Sequence, residues 1–166
     1  KQDIEGMLAC MHKIPVHEGG VYFVEAGTPH CMGPGNVFCE IHEPCDYTFR
    51  VEKNYLPNRI FSDFEMNYGL GNEKMLDAFH YDTYTYDEMV EKCVLKDSTL
   101  FETPNVQAKI VVSYEQAKRF KVEKYTFNEA VKIPDFDGHR IAITIKGKCD
   151  FTANGYTATA EQGRGV

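Results

Sequence analysis

Residues 19–30 read GGVYFVEAGTPH, so that a glycine pair, a short apolar run and a tight turn lead into a histidine. The apolar run, residues 21–24, predicts a short buried β-strand. The alanine, glycine, threonine and proline at residues 26–29 predict a turn that reverses the chain after that strand. His30 follows the turn directly, and the functional prediction depends on it.

The flanking sequence continues in the same manner. Residues 36–42 and 47–51 alternate between apolar and polar side chains, which predicts two further strands. Turn-forming residues precede the first of these segments, at Gly33-Pro34-Gly35, and separate the two, at Glu43-Pro44. Short strands about ten residues apart favour a sandwich or a barrel over a doubly wound sheet.

The remaining sequence predicts two short helices followed by a return to β-structure. Residues 73–79 and 85–93 carry apolar side chains at helical spacing, and the second of these begins with residues suited to a helix cap. Residues 120–127 and 139–145 alternate again, and Asn154-Gly155 between two alternating segments predicts a hairpin. The prediction is therefore an all-β protein with a short helical insertion near residues 71–95.

Composition excludes several classes of function. The chain has 166 residues, 43% of them hydrophobic, and a net charge of −7 without a basic stripe, which argues against a nucleic-acid partner. No apolar run approaches the roughly 18–20 residues that span a bilayer, which argues against a membrane protein. Six cysteines without a CxxC pair or a visible secretory signal favour free thiols in a cytoplasmic protein, although their number would also allow disulfides.

Three matched segments give the sequence a family resemblance. Gly19, Gly27 and His30 fit the second half of a cupin signature, in which a histidine after the turn points into the barrel. The segments AGTPHCMGPG at 26–35, EI at 40–41 and DYTFRV at 46–51 extend the match. Together they resemble the type I, zinc-dependent mannose-6-phosphate isomerases over about residues 14–52. Glu25 and Pro34 depart from the usual signature.

The resemblance implies cupin, or jelly-roll, β-barrel units. Residues 1–65 would form the C-terminal half of a first unit that carries the metal histidine. Residues 66–117 would form a linker with short helices, and residues 118–166 would begin a second unit. HEGGV at 17–21 and EQGRGV at 161–166 form a weak internal repeat that fits two units, so we expect a chain cut at both ends. Exposed sheet edges would then favour aggregation or a homodimer.

The resemblance also assigns roles to four residues. His30 falls on the zinc ligand of the family, and Arg50 falls on an active-site arginine that contacts substrate. Glu40 falls on an active-site acid, and Asp46 on an acid that helps to orient the substrate. The implied activity interconverts mannose 6-phosphate and fructose 6-phosphate through a cis-enediol.

These residue types suit that chemistry. Zinc polarises the oxygens of the substrate and stabilises an enediolate. A carboxylate such as that of Glu40 can carry the proton between the two carbons. Arg50 supplies fixed positive charge and paired donors for the enediolate or for the phosphate of the sugar.

Departures from the family pattern leave alternatives open. The chain has no tryptophan, Val51 follows Arg50, and His42 follows the glutamate–isoleucine pair. A catalytic zinc needs about three protein ligands, and the implied others would precede residue 1. The alternatives are a non-catalytic cupin-like module that binds sugar or regulates, and a metal-dependent cupin that acts on another sugar. Locally, His30 could be a turn histidine that hydrogen-bonds to the backbone, Arg50 and Asp46 could form a surface ion pair, and Glu40 could face solvent. Lys53, Arg59 and Lys74 could help to hold phosphate.

Overall fold

The computed structural model describes residues 3–45, 47–56 and 58–166, with the backbone alone described for residues 55 and 56. The chain divides into two compact units, Lys1–Glu129 and Ala130–Val166. Short strands dominate the described residues and a few short helices accompany them, which is the β-rich class that the sequence predicts. No helix in the described part has both the length and the apolar character needed to cross a bilayer.

The elements of the described residues follow one another along the chain as short segments. In order they are α1 (Ile4–Ala9), β1 (Val21–Tyr22), β2 (Asn54–Leu56), β3 (Arg59–Ile60), α2 (Asp63–Asn67), α3 (Asn72–Asp77), α4 (Tyr86–Cys93), β4 (Val94–Leu95), β5 (Ser98–Glu102), β6 (Val106–Val112), β7 (Val122–Phe127), β8 (Lys148–Ala153) and β9 (Tyr156–Glu161).

An antiparallel sheet of β5, β6 and β7 holds much of the apolar core of the first unit. Strand β6 lies in the centre, and its Val106, Ala108, Val111 and Val112 are buried. Its β-branched side chains suit a pleated surface covered by neighbours. The pairing of β6 with β7 crosses the boundary predicted at residues 117–118, since the compact unit ends at Glu129. The predicted division into cupin units stays a prediction.

The predicted helical insertion is present as α3 and α4. Thr85 caps α4: its hydroxyl accepts a hydrogen bond from the backbone N–H of Glu88, and the carboxylate of Glu88 accepts one from the N–H of Thr85. The same reciprocal pair, formed by Ser62 and Glu65, begins α2. Such a box satisfies N–H groups that a helix start otherwise leaves unpaired. The serine–glutamate spacing was the signal that would have predicted α2.

The predicted hairpin is confirmed in the second unit. Strands β8 and β9 pair with Ala153 opposite Tyr156, and Asn154 and Gly155 between them have φ angles of 51° and 80°. Two successive positive φ angles match the turn that Asn-Gly favours between twisted strands. Residues 142–144 pair with residues 164–166 beside this hairpin.

Three predicted strands are wrong or much shorter than expected. Residues 36–42 and 47–51 form no strand among the described positions, and residues 139–145 contribute only an isolated bridge between Ile143 and Gly165. Alternation of apolar and polar residues indicates that a strand would have one buried face. It does not provide the neighbouring strand with which the backbone must form hydrogen bonds. Val37, for example, is fully exposed.

The strand predicted at residues 21–24 is reduced to β1, which pairs with β4 on the far side of the helical insertion. The described residues thus form small sheets of two or three strands rather than a closed barrel.

Candidate functional site

His30 lies on an exposed loop directly after the predicted turn. The turn is present: the N–H of Thr28 donates to the carbonyl of Glu25 at 3.1 Å, and Gly27 has a φ of 83°. The ring Nδ1 of His30 lies 2.8 Å from the carbonyl oxygen of Thr28. Because a carbonyl only accepts, Nδ1 is the donor, and in the neutral form of the ring the lone pair is then on Nε2. This is how a backbone carbonyl commonly orients a histidine that binds metal.

The helical insertion holds this turn in place. The N–H of His80 donates to the carbonyl of Gly27 at 2.8 Å. A Cβ on Gly27 would lie 2.9 Å from Cδ2 of His80 and 3.0 Å from the carbonyl oxygen of Ala78, so only glycine fits. Lys92 of α4 also forms an ion pair of 2.7 Å with Glu25, and that hydrogen bond raises the pKa of Lys92. Residues about 50 to 70 positions away in sequence therefore position the loop that carries His30.

Arg50 is half-buried and is bound to the helix α2 by its backbone and its side chain. Its N–H donates to the carbonyl of Met66 at 2.9 Å, and its Nη1 donates to the carbonyl of Glu65 at 2.9 Å. The guanidinium carbon lies 5.1 Å from the centre of the Phe61 ring, within the range of a cation–π contact. These contacts fix the guanidinium, and no carboxylate among the described residues forms an ion pair with it.

Other charged side chains near Phe61 form two ion pairs. Arg59 lies against the same ring at 5.3 Å and forms an ion pair of 3.2 Å with Glu65, while Lys53 pairs with Asp63 at 2.8 Å. The pKa of Glu65 is lowered chiefly by the backbone N–H of Ser62, and that of Asp63 by its hydrogen bond with Lys53. The sequence singled out Lys53 and Arg59 but missed Phe61 and Glu65.

The other predicted residues are less well defined. Glu40 is exposed and lies in a segment without regular secondary structure. Asp46 lies outside the described residues. Within the described part of the chain, no hydrogen bond or ion pair joins His30, Glu40 and Arg50 to one another.

The described residues do not make a complete zinc site. Among them no three histidine, cysteine, aspartate or glutamate side chains are grouped so that they could hold a metal ion. His30 alone would supply one ligand, whereas a catalytic zinc takes about three from the protein.

Comparison with known proteins identifies no relative of this chain. No protein-family model, no curated protein and no solved structure matches this chain. The residues and their geometry are therefore the basis for the functional proposal.

Proposed function

We propose that this chain belongs to an aldose–ketose isomerase of the cytoplasm that interconverts mannose 6-phosphate and fructose 6-phosphate. The full protein would have the cupin fold that the sequence resembles. The observation that carries the proposal is the state of His30, an exposed imidazole whose Nδ1–H is fixed by the carbonyl of Thr28 at 2.8 Å. That arrangement presents Nε2 as a ligand at the position where the motif expects one.

Zinc is part of the proposal as the ion that His30 would bind. When bound, it would polarise the carbonyl of the open-chain sugar and stabilise the enediolate. The described residues supply one ligand for this ion. The roles proposed for Arg50 and Glu40 do not depend on it.

Arg50 would stabilise negative charge on the substrate. Its contacts with Glu65 and Phe61 hold the guanidinium in one orientation before substrate arrives, and such preorganised charge is effective in catalysis. A guanidinium has five N–H donors, and the bonds to the carbonyls of Glu65 and Thr48 use the two on Nη1. The remaining donors suit the paired oxygens of an enediolate or of a phosphate.

Glu40 would carry the proton. The isomerisation removes a proton from C2 of the aldose and delivers one to C1, while a hydroxyl proton moves from O2 to O1, so no oxidant or reductant is needed. An ionised carboxylate can accept the first proton and return it as the acid. Glu40 is exposed and thus open to a substrate.

The test is a coupled assay for fructose 6-phosphate formed from mannose 6-phosphate, with zinc supplied, on the longest natural form of the protein. Activity is expected, and His30→Ala and Arg50→Ala should each abolish it. His42→Ala is the matched control, because His42 is also exposed and also bonds a backbone carbonyl through Nδ1, that of Glu43 at 2.5 Å.

Metal analysis of the same proteins separates the alternatives. The proposal expects bound zinc that is lost in His30→Ala and kept in His42→Ala. Zinc without activity on mannose 6-phosphate would point to another sugar as substrate. Neither zinc nor activity would favour a non-catalytic module that binds sugar.

A further inference from the structure

Three aromatic side chains meet around Tyr68, at the end of α2. The rings of Tyr47 and Phe64 lie 5.8 Å and 6.4 Å from that of Tyr68, at interplanar angles of 74° and 75°. The ring of Phe49 supports Tyr68 at 6.1 Å. Edge-to-face contacts of this kind are favourable and fix the orientation of each ring.

Two of these rings are largely exposed to water. Tyr47 is 82% exposed and Phe64 is 67% exposed, while Tyr68 between them is half-buried. Large aromatic side chains gain free energy when they are buried, so rings grouped together yet open to solvent indicate a binding surface. We refer to Tyr47, Phe64 and Tyr68 as the aromatic platform.

The centre of the platform is held rigidly. Tyr68 has a φ of 56°, a left-handed conformation that costs free energy for a residue with a large side chain. Its hydroxyl oxygen accepts a hydrogen bond of 3.1 Å from the backbone N–H of Thr48. A ligand that stacks on the platform would therefore lose little free energy to ordering of the protein.

The size and surroundings of the platform suit a sugar better than a protein. Two aromatic side chains offer roughly 300–500 Å², whereas a stable protein interface needs about 800 Å² from each partner. Charged residues also flank Phe64 in the sequence: Asp63, 84% exposed and paired with Lys53, precedes it, and Glu65, paired with Arg59, follows it. Carboxylates can accept hydrogen bonds from sugar hydroxyls, but charge is depleted at the centre of protein interfaces.

We infer that the aromatic platform binds the pyranose ring of a hexose, with the C–H face of the sugar stacked on the exposed rings. Because mannose 6-phosphate is the sugar we name, this inference rests on the proposed function for the identity of the hexose. The stacking itself needs only a pyranose ring. The platform positions the substrate and takes no part in proton transfer.

The experiment is an NMR titration of the protein in EDTA, without zinc, so that no turnover occurs. The probes are methyl α-mannopyranoside, which cannot open its ring, and mannose 6-phosphate. The ring resonances of Tyr47, Phe64 and Tyr68 should shift with both probes. Tyr47→Ala and Phe64→Ala should each weaken binding roughly five- to tenfold.

Tyr156→Ala is the matched control and should bind as the wild type does, because Tyr156 is also 82% exposed but belongs to the other compact unit. The wild-type titration does not depend on the folding of any variant. Platform resonances that do not move would overturn the inference, as would equal affinities in all three variants. Self-association that Tyr47→Ala or Phe64→Ala removes, with no response to sugar, would make the patch a protein interface instead.

Failure of the platform and failure of the isomerase proposal give different results. Isomerase activity with an unchanged KM in Tyr47→Ala and Phe64→Ala would contradict sugar binding at the platform but not the isomerase proposal. Sugar binding at the platform without any isomerase activity would contradict the isomerase proposal but not the platform.

Discussion

The guanidinium of Arg50 stacks on the ring of Phe61 at 5.1 Å and at the same time donates to the carbonyl of Glu65 in α2. Arg50 therefore contributes to stability as well as to the proposed chemistry. Activity measurements on Arg50 variants need a matching measurement of stability, because a loss of either kind lowers the observed rate.

Replacing Arg50 with Ala should lower the free energy of unfolding by about 1–2 kcal/mol, the sum of a cation–π contact and one hydrogen bond. Urea denaturation measures this. Arg119→Ala is the control, because Arg119 is largely exposed and contacts Glu43 only at 4.0 Å, so its loss should cost under about 0.5 kcal/mol. Equal losses in the two variants would contradict the structural role of Arg50. Arg50→Lys keeps the charge without the planar fork, so it should lose activity by more than its loss of stability explains.

Gly27→Ala should destabilise the turn that precedes His30. The new Cβ would meet His80 and Ala78 at 2.9–3.0 Å, and the φ of 83° is unfavourable for alanine by about 1–2 kcal/mol. Thermal denaturation should show a clear drop in Tm, and any zinc binding and any isomerase activity should fall with it. Gly33→Ala makes the same chemical change where nothing lies within 4 Å of the added methyl group, so it should be nearly neutral. A Gly27→Ala variant as stable as Gly33→Ala would show that the turn tolerates a side chain.

Local signals account for the parts of the fold that the sequence predicted. The hairpin at Asn154-Gly155 and the helix after Thr85 depend on contacts a few residues apart, which a short stretch of sequence contains. The strands predicted at 36–42 and 47–51 failed because pairing depends on a distant segment. Strand β7 lies within the strand predicted at 120–127, but β5 and β6 were missed, because residues 66–117 were interpreted as a linker with short helices although β6 contains a β-branched run.

The candidate site also has parts that a local motif predicts and parts that depend on distant segments. Gly27 and His30 came from a local motif, and the structure has the turn that the motif describes. The supports of the site, His80 behind the turn and Phe61 beneath Arg50, come from segments that no local pattern links to them. Whether His30, Glu40 and Arg50 act on one substrate stays a prediction.

Asn67 joins two helices from a buried position. Its side-chain oxygen accepts from the N–H of Gly71 at 3.3 Å, and its Nδ2 donates to the side-chain oxygen of Asn72 at 3.1 Å. Asn67→Ala should lower the free energy of unfolding by about 1–3 kcal/mol, since it removes two hydrogen bonds made by a buried side chain. The control is Asn36→Ala, which removes one exposed hydrogen bond to Gly33 and should change little. A small effect at Asn67, measured by urea denaturation, would mean that water replaces the amide without cost.

The capping box of α4 should make stability depend on pH through Glu88. The backbone N–H of Thr85, and then its hydroxyl, bond to the carboxylate and hold the pKa of Glu88 below its usual value of 4.5. A carboxyl whose pKa is lower in the folded state stabilises the protein above the unfolded pKa. That contribution is lost as the pH falls from about 4.5 through the lowered pKa of the folded state.

Glu88→Gln should therefore have a lower Tm than the wild type at pH 7, and the difference should shrink as the pH falls below 4.5. Scanning calorimetry between about pH 3 and pH 7 measures it. Glu91→Gln, an exposed change on the same helix away from the cap, serves as the control and should give a difference in Tm that is smaller at pH 7. A Tm difference for Glu88→Gln that is constant across this range would show that the cap holds its carboxyl equally well when protonated.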